Sequence, residues 1–219
     1  MNLRLVVLVV PLVLGACASA MATPASPEVS GSAVSAVPDG APGLEPGPVS
    51  SGTFRQWREG ATAVTYDAVA VPVGATAEVS VSAKKGGVVV KATVSGLVPG
   101  RKYGAHLHNN PCTADPAEAG PHYQHRVDPA AGPGKPSVDP AYANPANEVW
   151  LDLTTDSEGA AVATSVQQWR FDAARPPWSF VLHAEGTHTG HGEAGTAGAR
   201  LACLTRDPVP AYVNQPGRG

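Results

Sequence analysis

Residues 76–83 read TAEVSVSA and residues 88–95 read VVVKATVS. In the first, Val79 and Val81 oppose Glu78, Ser80 and Ser82. In the second, Val88, Val90, Ala92 and Val94 share one parity, and Lys91, Thr93 and Ser95 the other. A period of two turns one set of side chains inward and the other toward water, which is the mark of a strand with one buried face. Outward from there, residues 147–154 (NEVWLDLT) set Val149, Leu151 and Leu153 against Trp150 and Asp152. Further strands are predicted at 62–71, 103–109, 160–168, 178–184 and 199–206. Eight short strands, separated by Gly, Pro, Asp and Ser turns and without a sustained 3.6-residue period, imply an all-β fold, an antiparallel sandwich or barrel. The connection from Asn109 to Ala146 breaks the rhythm: it holds eight prolines, two histidines and a cysteine. A loop of that length in a compact domain usually carries function.

The rest of the composition bounds the answer. The chain has 219 residues, with 24 Gly and 22 Pro, 43% hydrophobic and 15% charged residues. That is too apolar for a wholly disordered protein and too rich in Gly and Pro for a helical one. The formal net charge is -3 and no basic run occurs, which excludes nucleic acid as a partner class. Residues 1–17 read MNLRLVVLVVPLVLGAC, with Arg4 as a short basic start and an apolar run from Leu5 to Leu14. Ten residues is half of what a membrane-spanning helix needs, and it suits a signal-peptide core. Leu14-Gly15-Ala16-Cys17 looks like a bacterial lipobox, which makes Cys17 the lipidated first residue of the mature chain; the plainer alternative is a secretory signal with a chance cysteine. On the lipobox reading Cys112 and Cys203 remain to pair in an oxidising compartment. Of the 35 residues from Ala18 to Gly52, 25 are Ala, Pro, Ser or Gly, a composition that cannot offset its own ordering entropy. The expected organisation is a signal peptide over 1–16, a lipid-anchored linker over 17–52, a folded domain over 53–206 and a tail over 207–219.

All seven histidines lie between His106 and His191. In His106-Leu107-His108 the i, i+2 spacing on a strand puts two imidazoles on one face, where they can hold Zn, Cu or Fe. Alone the pattern is weak. Downstream follow Cys112, Gly120-Pro121-His122, Val181-Leu182-His183 and the run GTAGARLAC from Gly195 to Cys203, which contains Arg200.

Taken in that order, these motifs resemble the copper/zinc superoxide dismutase family over about residues 60–206. The resemblance implies an eight-stranded Greek-key β-barrel with long functional loops. It implies copper held by His106, His108, His122 and His183, with His122 in the position that bridges copper and zinc in the family. Arg200 corresponds to the arginine beside the open copper position, and Cys112 and Cys203 to the disulfide that anchors the loop. The implied reaction is the dismutation of superoxide, with His122 and Arg200 as the catalytic residues.

The zinc half of the pattern is not kept. The stretch from Asn144 to Trp150 has no histidine, and Glu148 is its one carboxylate. His125, Asp128 and Glu148 are the remaining candidates for a vestigial zinc site or for a partner of His122. Thr187 stands near where the family places an aspartate that links the two metals, and His188 and His191 are extra. The sequence thus looks like the copper-only relatives of this family, with no stoichiometric zinc expected. The expected function is an extracytoplasmic, lipid-anchored superoxide dismutase on the outer face of a bacterial membrane. The alternative is a non-enzymatic protein that sequesters copper on the same barrel. The oligomeric state is not legible.

Overall fold

The computed structural model describes residues 48–132 and 134–207. The signal peptide, Cys17, most of the linker and the tail from 208 onward lie outside the described residues. Nine strands run through the described part: β1 (Val49–Thr53), β2 (Ala63–Thr65), β3 (Thr76–Lys84), β4 (Gly87–Ser95), β5 (Lys102–His108), β6 (Leu153–Thr154), β7 (Ala161–Gln167), β8 (Ser179–His183) and β9 (Arg200–Thr205). The one helical element among them is a 3-10 turn, Pro116–Ala119.

The strands form two antiparallel sheets, ordered β1-β3-β4-β7 and β2-β9-β8-β5-β6. Strands β4 and β7 are neighbours although β5 and β6 of the other sheet intervene in sequence, and β5 pairs with β8 across β6 of its own sheet and β7 of the other. This is Greek-key connectivity. The sheets stack as a sandwich and do not close into one barrel; a single parallel bridge, Arg55 to Val64, ties them at one corner. The longest hairpin is β3–β4, in register from Thr76↔Ser95 to Lys84↔Gly87. Its valines obey the alternation: Val79, Val81, Val88 and Val90 are wholly buried. Each such burial contributes roughly 1.5–3 kcal/mol relative to exposure.

Three expectations are corrected. The linker does not reach Gly52: Val49–Thr53 pair with β3 from Ser80 to Thr76, because the outer edge of β3 offers backbone partners that even a Ser- and Gly-rich segment can use. The strand expected over 62–71 ends at Thr65, since Asp67 accepts hydrogen bonds from the backbone N–H of Val69 and Ala70 and turns the chain. The strand expected over 147–154 shrinks to Leu153–Thr154. Beside it the Ala105 N–H donates to the Asp152 carboxylate at 3.2 Å, which replaces a ladder bond with a side chain.

The domain's entry and exit meet. The Asp207 N–H donates to Ser50 Oγ at 3.0 Å, joining the segment after β9 to β1.

Candidate metal centre

Strands β5 and β8 have two different faces. Ala105, Leu107, Phe180 and Leu182 point into the main core. The opposite parity carries His106, His108 and His183, and that face is covered by the long loop after β5. The loop returns antiparallel to the end of β5: the Asn109 N–H donates to Pro121 O at 3.1 Å and the Tyr123 N–H to Leu107 O at 2.8 Å. This places His122 opposite His108.

Two devices hold the loop down. The disulfide Cys112–Cys203 joins it to β9. Arg200, at the start of β9, donates through Nη1 to Pro116 O at 2.6 Å and Ala117 O at 3.1 Å, and through Nη2 to Gly120 O at 2.6 Å. These carbonyls lie along and just past the 3-10 turn.

One ligand nitrogen from each of His106, His108, His122 and His183 lies within 4.8 Å of all the others. Among the described residues this is the one group of three or more His, Cys, Asp or Glu side chains so arranged. The Nε2 atoms of His108 and His183 face each other at 3.2 Å. The outer nitrogens are taken: His108 Nδ1 by Gly120 O at 2.9 Å, His183 Nδ1 by Gly198 O at 3.4 Å and His122 Nδ1 by Glu148 Oε2 at 2.9 Å. Burial, aided by the neighbouring imidazoles, holds His106 and His108 well below the ordinary histidine value. Burial, then His122, pushes His183 down to about 3. These three rings are therefore neutral at pH 7, each with a lone pair turned inward. His106 Nδ1 is buried and has no hydrogen-bond partner, a cost that a metal ion would remove. Imidazole nitrogens are good ligands for copper, so the donor set fits.

A cleft of about 370 Å³ opens beside the cluster, and His122, His183, Glu148, Arg175 and Arg200 line it. Of the candidates for a zinc half-site, Glu148 alone reaches His122. Its carboxylate is buried and also accepts from Trp150 Nε1 and Gln124 Nε2, both at 2.8 Å. His125 stacks on Trp169, with ring centroids 4.8 Å apart and planes within 5°. Asp128 accepts from Ser137 Oγ and the Ala130 N–H within the loop. His188 sits between Glu185 and Glu193 on the surface.

The sequence reading did not single out Gln124, Trp150 or Asp152 for the site. Trp150 and Asp152 share the parity opposite Val149, Leu151 and Leu153, and that parity was the available signal.

A β-sandwich bearing four converging imidazoles beside an open cleft defines a histidine metal centre. The copper/zinc superoxide dismutase profile matches residues 73–205, and the chain belongs to that family, which makes its function class superoxide dismutation, an oxidoreductase activity. No curated protein matches the chain. Among solved structures, the Cu/Zn superoxide dismutase from Brucella abortus is similar at 24% identity, covering 60% of this chain and 88% of that one with a TM-score of 0.44. A double mutant of a SOD-like protein from Bacillus subtilis is similar at 15% identity, covering 75% of this chain and 98% of that one with a TM-score of 0.44.

Proposed function

We propose that this chain is a copper-only superoxide dismutase, exported and tethered to the outer face of a bacterial cell membrane. The observation that carries the reading is the four-histidine cluster with a carboxylate, Glu148, against the one ring whose second nitrogen would otherwise be offered to zinc. Copper, when bound, supplies a one-electron couple, so that two superoxide anions and two protons become dioxygen and hydrogen peroxide.

The chain's own residues supply the rest. His106, His108 and His183 form a buried, neutral platform on the sheet, and His122 closes it from the loop. With its Nδ1–H donating to Glu148 Oε2, His122 keeps Nε2 free to bind metal or to hold a proton for the peroxide product. Arg200 lines the cleft; its terminal nitrogens hold the loop carbonyls, and its guanidinium supplies the positive charge that draws in a small anion. The net charge of -3 does not oppose this, because the local field at the cleft governs approach.

Location rests on the sequence. The lipobox-like Leu14-Gly15-Ala16-Cys17 supports anchoring, and a disulfide suits an oxidising compartment. Mass spectrometry of membrane-extracted protein should find a diacylglyceryl adduct on Cys17; a mature form cut elsewhere would remove the anchor.

The deciding experiment is metal analysis of the purified chain with a superoxide-decay assay. One copper per chain, no stoichiometric zinc and fast decay are expected. Bound copper without superoxide consumption would point instead to a copper-sequestering protein. One equivalent of tightly held zinc would defeat the copper-only reading.

A further inference from the structure

His106 is oriented unlike the other three ligands. His108, His122 and His183 each engage an acceptor through Nδ1 and turn Nε2 inward. His106 does the reverse. Its Nε2 lies 2.7 Å from Thr187 Oγ1, and its Nδ1 is buried without a partner, facing the cluster.

The contact to Thr187 does not by itself say which atom donates, because a hydroxyl can do either. Asp152 decides. Thr187 Oγ1 lies 2.5 Å from Asp152 Oδ1, and the Thr187 N–H donates to Asp152 Oδ2 at 2.7 Å. Both Asp152 oxygens accept from backbone N–H groups, Oδ1 from Ala105 and Oδ2 from Thr187, so this carboxylate stands as the acceptor. The single hydroxyl proton of Thr187 must therefore point at Asp152, which leaves Oγ1 as an acceptor toward His106. His106 Nε2 must then be the donor in that contact, which places a ring hydrogen on Nε2 and leaves the unpartnered Nδ1 with the lone pair.

The surroundings hold this chain of bonds in place. Asp152 also accepts from the Ala105 N–H, on the residue before His106. The Thr187 segment is docked by the Gly104 N–H, which donates to Glu185 O at 2.6 Å. A Cβ at Gly104 would stand 2.5 Å from that oxygen and 2.7 Å from Ala197 Cβ, so a glycine is needed for the approach.

We propose that Asp152, acting through the Thr187 hydroxyl, fixes the tautomer and rotation of His106 so that Nδ1 faces the metal. Both are positioning residues, and the proposal rests on the copper reading above. Such partners of a metal-bound histidine are typically worth 10- to 100-fold in affinity. Glu148 supports His122 from the loop side, and the Asp152–Thr187 pair supports His106 from the other; the two supports share no residue.

The test uses the full chain and three variants. Nitrogen-15 NMR of the metal-free wild type should show His106 as the Nε2–H tautomer. In Asp152→Asn the new amide can donate to Thr187 Oγ1 and turn its proton toward His106, so the ring should shift toward Nδ1–H. Copper affinity, read by chelator competition, should fall about 10- to 100-fold in Thr187→Val and stay within about threefold of wild type in Thr187→Ser. A merely structural role predicts another pattern: a lower melting point in the metal-free Thr187→Val chain with copper affinity unchanged. That result, or an Nδ1–H wild-type ring, overturns the proposal. None of these readouts uses superoxide. A wild type that shows the expected pattern but does not consume superoxide would defeat the enzymatic reading and sustain this one.

Discussion

His122 Nδ1 lies 2.9 Å from Glu148 Oε2 inside the protein, so the outer nitrogen of the loop histidine faces a buried carboxylate. The same oxygen accepts from Trp150, and the other carboxylate oxygen accepts from Gln124. Three donors thus converge on one buried carboxylate and fix its orientation.

Replacement of Glu148 by Gln inserts an amide donor among those three donors. At least one must lose its acceptor, at a cost of about 1–3 kcal/mol in stability. Copper should remain bound, while the superoxide rate falls roughly 10- to 100-fold and its pH profile moves. Stopped-flow superoxide decay from pH 5 to 9 checks this, and an unchanged profile would count against a role for Glu148.

Arg200→Ala should lower the superoxide rate by about tenfold or more at low salt and less at high salt, where steering is screened. Because Arg200 also grips three loop carbonyls, the variant should lose some thermal stability as well. The salt dependence separates the two effects, since lost stability alone would leave the ionic-strength slope as in the wild type.

Loss of the Cys112–Cys203 bond, in the double Ser variant, opens a loop of 91 residues. The chain-entropy argument gives about 4–5 kcal/mol as an upper figure. Denaturant titration under oxidising conditions measures it directly. A difference under about 1 kcal/mol would mean that the loop is held by its hydrogen bonds and packing instead.

Acid should destabilise the metal-free chain earlier than its carboxylates alone would. The folded value of His183 is depressed to about 3, and His106 and His108 lie well below 6.5. Between pH 6.5 and 3 the unfolded chain therefore binds more protons, and stability falls as pH falls. It is complete above about 6.5 and gone below the folded values. Asp128 and Asp156, lowered chiefly by hydrogen bonds, add to the loss toward the acid end. Copper should shift the curve to lower pH, because metal and protons compete for the same nitrogens. Unfolding midpoints that stay level from pH 7 to 4 without copper would contradict this.

What could be read from residues alone divides along physical lines. Strands β3 and β4 were legible because their valines alternate and local pattern decides which face is buried. Strand β1 was not, because Val49–Thr53 have weak strand character of their own and are ordered by the edge of β3. The four histidines were legible through their motifs, and Glu148 was named as the nearest carboxylate. Asp152 was not, because its role depends on the Thr187 segment folding back beside β5, a contact spanning 35 residues that no local spacing encodes. His125 and Asp128 show the converse: both are near His122 in sequence, yet stacking on Trp169 and the bond to Ser137 draw them elsewhere.

The bond from Asp207 to Ser50 has a consequence for how the domain can be handled. The chain enters and leaves the sandwich side by side, as in many domains that accept new connectivity. A short peptide could join the two points, and new ends could be cut in an exposed turn such as Lys85–Gly86, giving a circular permutant that keeps every strand neighbour. Cargo fused before β1 or after β9 would leave from the same pole, so either flank would serve equally as a surface attachment point.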